Sequence, residues 1–366
     1  MTNPRLDRLR ALFPKEKVDC LLVSGLANIR YLTGFTGSNA LLLVQEDTAT
    51  FFTDGRYTTQ ARQEIAGAGR SIGVVTSKKG LWPAAIKRLK AKRRFKAGFD
   101  SSVSFALSKI ILKGLGEKRS RAVSGVVERL RMVKEESEIA AIRASAELNS
   151  RVLAEMLPLV KPGVTERDLA AEMEYRMRRS GATGPAFESI VAAGENSALP
   201  HAHPTGRTIR GGEFLLFDHG TMLNGYCSDM TRTVWVGGTL QDHSDDLKRA
   251  RDLYATVLEA HQQAREAVRA GVRCKDVDRA ARRPITAKGW GKYFSHSTGH
   301  GVGLEIHESP RVAAPVKDKL PAGAVITIEP GVYLPGFGGV RIEDMVVVRE
   351  NGAEGLTPSP KEFMQI

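Results

Sequence analysis

Four acidic residues in the C-terminal half of the chain interrupt apolar segments that are predicted to be β-strands. They are Asp218 in FLLFDHG, Asp229 in GYCSDMTRTVWV, Glu329 in ITIEPGVY and Glu343 in GVRIEDMVVV. Burying a lone ionised carboxylate is expensive, because desolvation disfavours the charged form. Only two arginines, Arg232 and Arg341, lie in the same strands, too few to neutralise four carboxylates. The pattern therefore favours a divalent metal site over four separate acids, each at a strand end in water or in an ion pair of its own.

A cluster of histidines follows in HSTGHGVGLEIH, where His296, His300 and His307 fall within twelve residues. The chain has eight histidines in all, so three in one short segment indicate a site. Glycines at 299, 301 and 303 let the backbone approach a crowded centre. A phosphate-binding loop is rejected, because GHGVG does not run from a strand into the start of a helix. The cluster is expected to supply a fifth ligand.

Oxygen ligands with one imidazole favour Mn²⁺, with Co²⁺, Zn²⁺ or Fe²⁺ as alternatives, over an ion that prefers thiolate. Four carboxylates are more than one ion needs, whereas two ions that share bridging carboxylates would use them all. Two such ions lie about 3.5–4 Å apart, lower the pKa of a bridging water and polarise a carbonyl oxygen. A bridging hydroxide beside a carboxylate base and histidine donors is suited to amide hydrolysis. We therefore predict a metallopeptidase with two divalent metal ions.

The elements around these residues divide the chain into two predicted domains, 1–133 and 134–366. The first domain alternates short apolar runs with helical patterns. Its predicted strands are DCLLVSG, NALLLVQ, TATFFTD and SIGVVTS, and its predicted helices are PRLDRLRALF, the segment after Asp54 and LWPAAIKRLKAK. This order predicts an α/β domain with a mostly buried sheet.

The second domain begins with a segment rich in Ala, Glu, Leu and Arg, which predicts one long helix from Glu135 to Leu157. Thr165 and Asp168 then form a potential capping box for a second helix. Further helices are expected at about 244–270 and 274–288, and strands at about 214–218, 226–236, 301–306, 325–329 and 340–348. Helices grouped beside strands in this way predict an α+β domain with a mainly antiparallel sheet.

The charge of the chain is concentrated in the first domain. The net charge is +13, and residues 1–133 carry 25 Lys and Arg against 10 Asp and Glu, a net charge of +15. The excess peaks at Lys87, Arg88, Lys90, Lys92, Arg93, Arg94 and Lys96. A basic run can attract nucleic acid. This one lacks aromatic residues for base stacking and overlaps an amphipathic helix, so a solvated helix face is preferred and nucleic acid is not an expected partner.

Neither a membrane span nor a secretory signal is predicted. No segment approaches the roughly 20 apolar residues of a membrane helix, and charge interrupts the apolar residues of the first 19 positions. The three cysteines, Cys20, Cys227 and Cys274, are far apart and odd in number, which argues against a disulfide framework. A cytoplasmic protein with reduced thiols is expected.

The acidic and histidine motifs together resemble those of the pita-bread metallopeptidase family, which includes methionine aminopeptidase, Xaa-Pro aminopeptidase and prolidase. The resemblance covers most of the chain and implies a pita-bread fold for the α+β domain. It implies the ligands Asp218 in DHG, Asp229 in SDMTRT, His300 in STGHGVG, Glu329 in TIEPG and Glu343 in RIED, with Glu343 bridging and Glu329 as general base. None of the five is missing, which disfavours a non-enzymatic member of the family that binds RNA or protein.

The resemblance implies roles for further residues of the cleft. His307 would stabilise the tetrahedral intermediate and contact the substrate. His201 in SALPHAHP would line the opposite side of the substrate, with its neighbour His203 as the alternative. His296 is expected as a further substrate-binding histidine. Arg341 would hold the active-site network, with a structural ion pair as its alternative role.

The N-terminal motifs indicate the branch of the family. NIRYLTGFTGSNALLLV and FFTDGRY are similar to the creatinase-type N-terminal domain of Xaa-Pro aminopeptidases and prolidases. We therefore predict an Xaa-Pro aminopeptidase, which hydrolyses the bond between an N-terminal residue and a following proline. General aminopeptidases handle this bond poorly, because proline lacks an amide hydrogen. The alternative is an Xaa-Pro dipeptidase (prolidase), the same chemistry restricted to dipeptides. The resemblance also implies a homodimer or a tetramer.

Overall fold

The computed structural model describes residues 3–67, 72–91, 94–237 and 245–366. The chain forms two compact units, Met1–Arg131 and Met132–Ile366. Each unit has its own buried hydrophobic core. The first unit is an α/β domain and the second combines helices with antiparallel sheets, so the predicted fold class is confirmed.

The first unit is built on one mixed sheet. Its strands are β1 (Cys20–Val23), β2 (Leu41–Gln45), β3 (Ala49–Thr53), β4 (Gly73–Thr76), β5 (Ala97–Asp100) and β6 (Ser120–Val123). They lie in the order β4-β3-β2-β1-β5-β6, with β2 antiparallel to its two neighbours and the other pairs parallel. The three central apolar strands are buried throughout, whereas edge strand β4 is partly exposed. All four predicted strands form, and Ser71 of the last one lies outside the described residues.

The helices of this unit are α1 (Pro4–Arg10), α2 (Phe13–Glu16), α3 (Leu26–Thr33), α4 (Thr58–Gly67), α5 (Leu81–Lys90), α6 (Phe105–Leu115) and α7 (Val126–Met132). The apolar face of α5 is buried through Leu81, Ala85, Ile86 and Leu89. Its basic residues Lys87, Arg88 and Lys90 are exposed. The basic run is therefore a solvated helix face, as expected, and Lys92 and Arg93 lie outside the described residues.

The second unit has four long helices in its described residues: α8 (Glu136–Met156), α9 (Glu166–Arg179), α10 (Asp245–Ala267) and α11 (Cys274–Ala287). The predicted capping box of α9 forms, because Thr165 Oγ1 accepts from the Asp168 N–H at 3.1 Å and the Thr165 N–H donates to the Asp168 carboxylate at 3.3 Å. Ser244, where the third helix was expected to begin, lies outside the described residues.

Short strands make up the rest of the second unit. They are β7 (Gly184–Pro185), β8 (Ile190–Ala193), β9 (Glu213–His219), β10 (Thr221–Leu223), β11 (Tyr226–Cys227), β12 (Met230–Val236), β13 (Gly299–Gly301), β14 (Glu308–Val312), β15 (Val325–Ile328), β16 (Gly331–Leu334), β17 (Gly338–Arg341), β18 (Asp344–Arg349) and β19 (Gly352–Gly355). The sheets are β12-β9-β8, β14-β13-β15-β18-β19, β11-β10-β7 and β16-β17. Every pair within them is antiparallel, so the predicted single sheet is divided into several small ones.

The prediction that Asp229, Glu329 and Glu343 lie within strands is wrong. Each lies in a short break between two strands: Asp229 between β11 and β12, Glu329 between β15 and β16, and Glu343 between β17 and β18. At Glu329 and Glu343 the backbone leaves the hydrogen-bonded ladder of its sheet because its N–H group donates to another segment. The Glu329 N–H donates to the Thr298 carbonyl at 2.8 Å, and the Glu343 N–H donates to the Thr231 carbonyl at 3.2 Å. The fourth acid, Asp218, lies within strand β9.

The strand predicted at 301–306 is also wrong. β13 ends at Gly301, and residues 302–307 form a bend that ends where β14 begins. The Gly303 N–H donates to the Glu305 carbonyl at 3.1 Å, and the Glu305 N–H donates to the Glu308 carboxylate at 3.1 Å. The segment therefore folds on itself and presents His307 at its end.

Cys20, Cys227 and Cys274 are buried and are not joined to one another by disulfide bonds. Among the helices that the structure describes, none combines the length and the apolar character that a membrane span requires.

Candidate metal centre

One cavity of the second unit, about 620 Å³ in volume, brings together every residue that the sequence analysis assigned to the site. Its lining includes Asp218, Asp229, His300, Glu329 and Glu343, together with His201, His296, His307 and Arg341. These side chains come from segments spread over residues 201–343, so only the fold of the second unit assembles them. This cavity is the candidate functional site.

The most compact group in the cavity consists of Asp229, His300 and Glu343. Each offers one ligand atom, and these atoms all lie within 4.8 Å of one another, a geometry that could hold a metal ion. His300 Nδ1 lies 3.0 Å from the Gly301 carbonyl, to which it can only donate. The lone pair of Nε2 is therefore free for a metal ion. Nε2 lies 3.5 Å from a carboxylate oxygen of Asp229 and 3.5 Å from one of Glu329.

Burial and mutual repulsion raise the pKa values of three carboxyl groups in the cavity. Burial raises the pKa of Asp229 well above its ordinary value, and the Glu343 and Asp218 carboxylates raise it further. Burial, Glu329 and Asp218 likewise raise the pKa of Glu343. Burial raises the pKa of Glu329 to about 7, although Arg341 opposes the shift. Shifts in this direction are those of negative groups that lack a compensating cation.

Arg341 is a buried cation that holds Asp218 in the cavity. Its Nη2 atom donates to Asp218 Oδ2, and its Nη1 atom donates to the Tyr333 hydroxyl at 2.6 Å and the Pro200 carbonyl at 3.2 Å. Its Nε atom donates to Thr231 Oγ1 at 3.0 Å. The other oxygen of Asp218, Oδ1, is buried and has no hydrogen-bond partner in the described part of the chain. Asp218 therefore keeps one oxygen for a ligand.

Tyr333 belongs to this network, although the sequence analysis did not identify it. Its hydroxyl lies 2.8 Å from His296 Nε2, and burial raises its pKa to about 12. His296 Nδ1 donates to the Ser297 carbonyl at 2.8 Å, so Nε2 accepts from Tyr333. Burial lowers the pKa of His296 to about 4, which keeps the ring neutral. Both ring nitrogens of His296 have partners within the protein, so its ring serves as a wall of the cavity.

His307 and His201 are exposed side chains that line the same cavity. The His307 ring stands edge-on to the His300 ring, with 4.4 Å between their centroids. Partial removal of the His307 ring from water lowers its pKa, and the nearby His300 lowers it further. His203, the alternative to His201, lies 3.3 Å from the Glu188 carboxylate with 76% of its side chain exposed. The geometry favours His201 as the histidine of the cavity.

A buried glutamate that the sequence analysis did not identify fastens the segment that carries His201. Glu166, at the start of α9, accepts from the Ala193 N–H at 2.8 Å and from the Thr205 N–H and hydroxyl at 3.0 and 2.6 Å. The Asn196 side chain donates to it at 3.0 Å. Because these donors lie at both ends of residues 193–205, Glu166 fixes the segment on both sides of His201.

The second arginine of the predicted strands, Arg232, compensates an acid that the sequence analysis did not identify. Its Nη2 atom donates to Asp344 Oδ1 at 2.7 Å. Lys361 Nζ lies 2.8 Å from Asp344 Oδ2, and His261 Nε2 lies 3.5 Å from the same oxygen. Burial raises the pKa of Asp344, but these three groups outweigh it and hold that pKa below its ordinary value. Arg232 is therefore committed to Asp344, which leaves the cavity with less positive charge than the sequence suggested.

The residues that line the cavity fit divalent metal ions. Carboxylates and a neutral imidazole are ligands that Mn²⁺, Co²⁺, Zn²⁺ and Fe²⁺ accept. The partnerless Oδ1 atom of Asp218 and the raised pKa values of Asp229 and Glu343 mark where positive charge is missing. Within the described ranges, Arg341 is the one Lys or Arg side chain at ion-pair distance from any of the four acids.

Comparisons with known proteins agree with this geometry. Residues 140–350 match metallopeptidase family M24, and residues 5–133 match the creatinase/prolidase N-terminal domain. An Xaa-Pro dipeptidase of Pyrococcus furiosus is 34% identical over 361 residues, which cover 98% of this chain and 99% of the relative. The structure of an Xaa-Pro dipeptidase from Bacillus anthracis matches with a TM-score of 0.93 and 36% identity over 99% of both chains. The structure of an X-Pro aminopeptidase from Thermotoga maritima matches with a TM-score of 0.88 and 36% identity, over 99% of this chain and 100% of the aminopeptidase.

The fold and the cavity together define a metallopeptidase. The chain belongs to metallopeptidase family M24 and carries a creatinase/prolidase N-terminal domain. The family predicted from the sequence motifs is confirmed, and with it the pita-bread architecture and the use of divalent metal to hydrolyse peptides. The role of each cavity residue, the identity of the metal and the domain boundary at residue 133 stay predictions.

Proposed function

We propose that the protein is an Xaa-Pro dipeptidase, which hydrolyses the bond between an N-terminal residue and a C-terminal proline. The proposal depends on one observation above all: four carboxylates and His300 share one cavity in a chain of family M24. Two relatives that match over nearly the whole chain are named Xaa-Pro dipeptidases. These relatives favour the dipeptidase, which was the alternative in the sequence analysis, over the Xaa-Pro aminopeptidase that was predicted first. Xaa-Pro aminopeptidase becomes the second candidate, favoured by the Thermotoga maritima relative.

We assign Asp218, Asp229, His300, Glu329 and Glu343 as the residues that would hold two divalent metal ions. When bound, such ions polarise the scissile carbonyl and make water a stronger nucleophile at neutral pH. Mn²⁺ is proposed as the native metal, because the ligand set is dominated by carboxylate oxygens. Metal-free protein reconstituted separately with Mn²⁺, Co²⁺, Zn²⁺ and Fe²⁺ should hydrolyse peptide fastest with Mn²⁺. A faster rate with another of these ions would contradict the choice of metal alone.

The remaining cavity residues orient the peptide and move protons. Glu329 accepts a proton from the attacking water on a carboxylate oxygen. His307 donates a hydrogen bond to the oxyanion that develops on the scissile carbonyl, and His201 holds the peptide from another side of the cavity. Arg341 keeps the Asp218 carboxylate in place. Their shared position in one cavity supports these assignments.

Two features of the cavity suit a short peptide that ends in proline. Phe187, Ile190 and Ile306 line it and offer apolar surface to a prolyl ring. Arg311 lines the same cavity and is exposed. A guanidinium pairs with a carboxylate through two hydrogen bonds. We therefore assign Arg311 to the C-terminal carboxylate of a dipeptide, a group that longer peptides carry further from the scissile bond.

A comparison of substrates tests the dipeptidase proposal. Mn²⁺-loaded protein would be assayed with an Xaa-Pro dipeptide, the matching Xaa-Pro-Yaa tripeptide and an Xaa-Ala dipeptide. A hydrogen-bonded charge contributes about 1.5–3 kcal/mol, so kcat/KM should be roughly 10–100-fold higher for the Xaa-Pro dipeptide than for the tripeptide. Equal or faster hydrolysis of the tripeptide would contradict the dipeptidase and favour the aminopeptidase. Equal hydrolysis of the Xaa-Ala dipeptide would contradict proline specificity.

The variant Arg311→Gln separates recognition of the carboxylate from the chemistry. It should raise KM for the Xaa-Pro dipeptide roughly 10–100-fold, because the charge-assisted contact is lost, and change KM for the tripeptide little. The matched control is Lys317→Gln, which removes an exposed cation six residues further along the chain. An unchanged KM for the dipeptide in Arg311→Gln would remove the assigned role.

The homodimer implied by the family resemblance is likewise a proposal. Light scattering on the purified protein should give about twice the mass of one chain, which is 39.9 kDa. A mass four times that of the chain would indicate the tetramer, and the mass of one chain would contradict both.

A further inference from the structure

Arg232 lies on the side of β12 that faces away from the cavity. Its neighbour Thr231 bonds two cavity residues, since the Thr231 hydroxyl donates to Glu343 Oε2 at 2.7 Å and accepts from Arg341 Nε at 3.0 Å. Successive side chains of a strand point to opposite faces. Arg232 therefore points behind the cavity, where its side chain is 4% exposed and pairs with Asp344, 5% exposed.

All five N–H groups of the Arg232 guanidinium have acceptors. Nη1 donates to the Glu343 carbonyl at 2.6 Å and the Thr231 carbonyl at 2.9 Å, and Nη2 donates to Asp344 Oδ1 at 2.7 Å. The two remaining bonds go to the C-terminal segment, from Nη2 to the Ser359 carbonyl at 2.8 Å and from Nε to the Pro360 carbonyl at 2.7 Å. One side chain thus ties β12, the break that contains Glu343 and the end of the chain together.

Glu343 is the residue on which these bonds converge. Its carboxylate accepts from the Thr231 hydroxyl, its N–H donates to the Thr231 carbonyl, and its own carbonyl accepts from Arg232. Because Glu343 lies in a break between β17 and β18, no regular ladder sets its backbone there. Asp344, the next residue, is in turn held by Arg232 and Lys361.

We propose that Arg232 and Asp344 are positioning residues of the metal site, which act through the backbone of Glu343 without touching metal or substrate. Arg232 fixes the carbonyl of Glu343, and Asp344 fixes Arg232, so that the Glu343 carboxylate stays with Asp229 and His300 in the arrangement that could bind a metal ion. The inference rests on the metal site proposed above. Residues that orient ligands in this way commonly contribute 10–100-fold to metal affinity.

Titration of metal-free protein with Mn²⁺ tests this inference independently of any peptide. The free ion is followed by electron paramagnetic resonance, and the dissociation constant and stoichiometry are fitted. Arg232→Gln should bind Mn²⁺ about 10–100-fold more weakly than the wild type. Arg232→Lys should recover part of the loss, because it keeps the charge beside Asp344 but has three N–H groups for five acceptors. With Mn²⁺ at saturation, kcat should fall more than KM rises, because the proposal assigns Glu343 to the metal ions and not to the peptide.

The matched control is Arg349→Gln, which removes an arginine at the other end of β18 that pairs with the Glu136 and Glu354 carboxylates. It should bind Mn²⁺ like the wild type. Wild-type affinity and stoichiometry in a folded Arg232→Gln protein would overturn the inference.

A second variant keeps the test decisive if Arg232→Gln does not fold. Arg232→Gln leaves the buried Asp344 carboxylate with Lys361 but without its buried arginine, which is costly. Arg232→Gln combined with Asp344→Asn removes that buried negative charge. The double variant should fold and still bind Mn²⁺ about 10–100-fold more weakly, because the donor to the Glu343 carbonyl is gone. Wild-type affinity in the double variant overturns the inference. A wild-type protein that binds no Mn²⁺, Co²⁺ or Zn²⁺ would instead contradict the proposed metal site.

Discussion

Glu343 and Asp344 are neighbours in the sequence and are both buried, at 2% and 3% exposure, yet their pKa values shift in opposite directions. Burial and two nearby carboxylates raise the pKa of Glu343. Burial raises the pKa of Asp344 too, but three surrounding basic side chains outweigh it and lower that pKa. Glu343 faces the cavity, whereas Asp344 faces Arg232, Lys361 and His261.

The difference between these two acids separates a structural charge from a functional one. The protein supplies Asp344 with its own cations, whereas no Lys or Arg lies at ion-pair distance from Glu343 in the described ranges. A buried carboxylate without a cation is costly in the free protein. That cost is removed when a proton or a cation from outside neutralises the carboxylate. A buried acid that stays uncompensated beside compensated neighbours therefore indicates a cation site.

Removing an acid of the cavity should have the largest effect of any change. Glu343→Ala and Asp229→Ala are each expected to abolish hydrolysis and to lower the Mn²⁺ content per chain, because each removes one of the three ligands nearest to one another. Elemental analysis after gel filtration, beside a rate measurement, checks both effects. Glu350→Ala, which removes an exposed acid just after β18, serves as the control. Full metal retention in Glu343→Ala would contradict a bridging role.

Removing His307 should separate catalysis from metal binding. His307→Ala is expected to lower kcat by about 100-fold or more, the usual loss when one donor to an oxyanion is removed. Metal content should stay at the wild-type level, because the ring contacts His300 without belonging to the ligand set. The control is His203→Ala, which removes a histidine whose side chain is 76% exposed and should leave both kcat and metal content unchanged. Loss of metal in the His307 variant would show that it is a ligand.

Metal removal should destabilise the protein more at neutral pH than at acidic pH. The pKa of Glu329 is raised from 4.5 to about 7 in the metal-free fold, so its contribution to stability is fully present below about 4.5 and is lost as the pH rises through 7. Bound metal compensates the ionised form. At a fixed Mn²⁺ concentration, the stabilisation by Mn²⁺ should therefore grow between pH 4.5 and 7, because the dissociation constant falls as Glu329 ionises. It reaches about 2.7 kcal/mol where that concentration is 100 times the dissociation constant. Melting curves with and without Mn²⁺ measure it, and a difference that shrinks over this range would contradict the account.

Loosening the segment that carries His201 should have a smaller effect. Glu166→Gln replaces a carboxylate that accepts from Ala193, Asn196 and Thr205 by an amide with only one acceptor oxygen. Leaving buried donors unsatisfied costs about 1–3 kcal/mol, and KM should rise because His201 is less well held. The control is Glu172→Gln, which changes a partly exposed glutamate that pairs with Arg176 on the same helix. Unchanged stability and KM would show that the segment holds its shape without Glu166.

The smallest effect is expected for an arginine whose ion pairs are exposed. Arg349 pairs with Glu136 and Glu354 at 2.6 Å each, and its side chain is 36% exposed. Water screens such pairs, so Arg349→Gln should cost about 0–1 kcal/mol of unfolding free energy. Chemical denaturation of this variant beside Arg232→Gln measures the contrast. Equal losses of unfolding free energy in the two variants would contradict the difference expected between the buried Arg232 network and the exposed Arg349 ion pairs.

The sequence predicts the cavity acids because each stands out against apolar neighbours. Asp218 directly follows four apolar residues, and His300 lies in a cluster of histidines and glycines. Local pattern does not separate Glu343 from Asp344, since both stand next to the same apolar run, MVVV. Their difference arises from Arg232, 112 positions earlier.

Other features also depend on contacts that the sequence does not display. Glu166 and Tyr333 reach the site through partners that only the fold brings near. The breaks at Glu329 and Glu343 arise because their N–H groups bond to other segments, which side-chain periodicity cannot reveal. Short β6, with two exposed central residues, is set by its pairing with β5.

The two-metal site can be tested directly with an anomalous difference map at the manganese absorption edge from crystals grown with Mn²⁺. We expect two peaks in the cavity, both within coordination distance of the Glu343 carboxylate, and none beside Asp344. A cavity without any peak, in protein that hydrolyses an Xaa-Pro dipeptide, would contradict it.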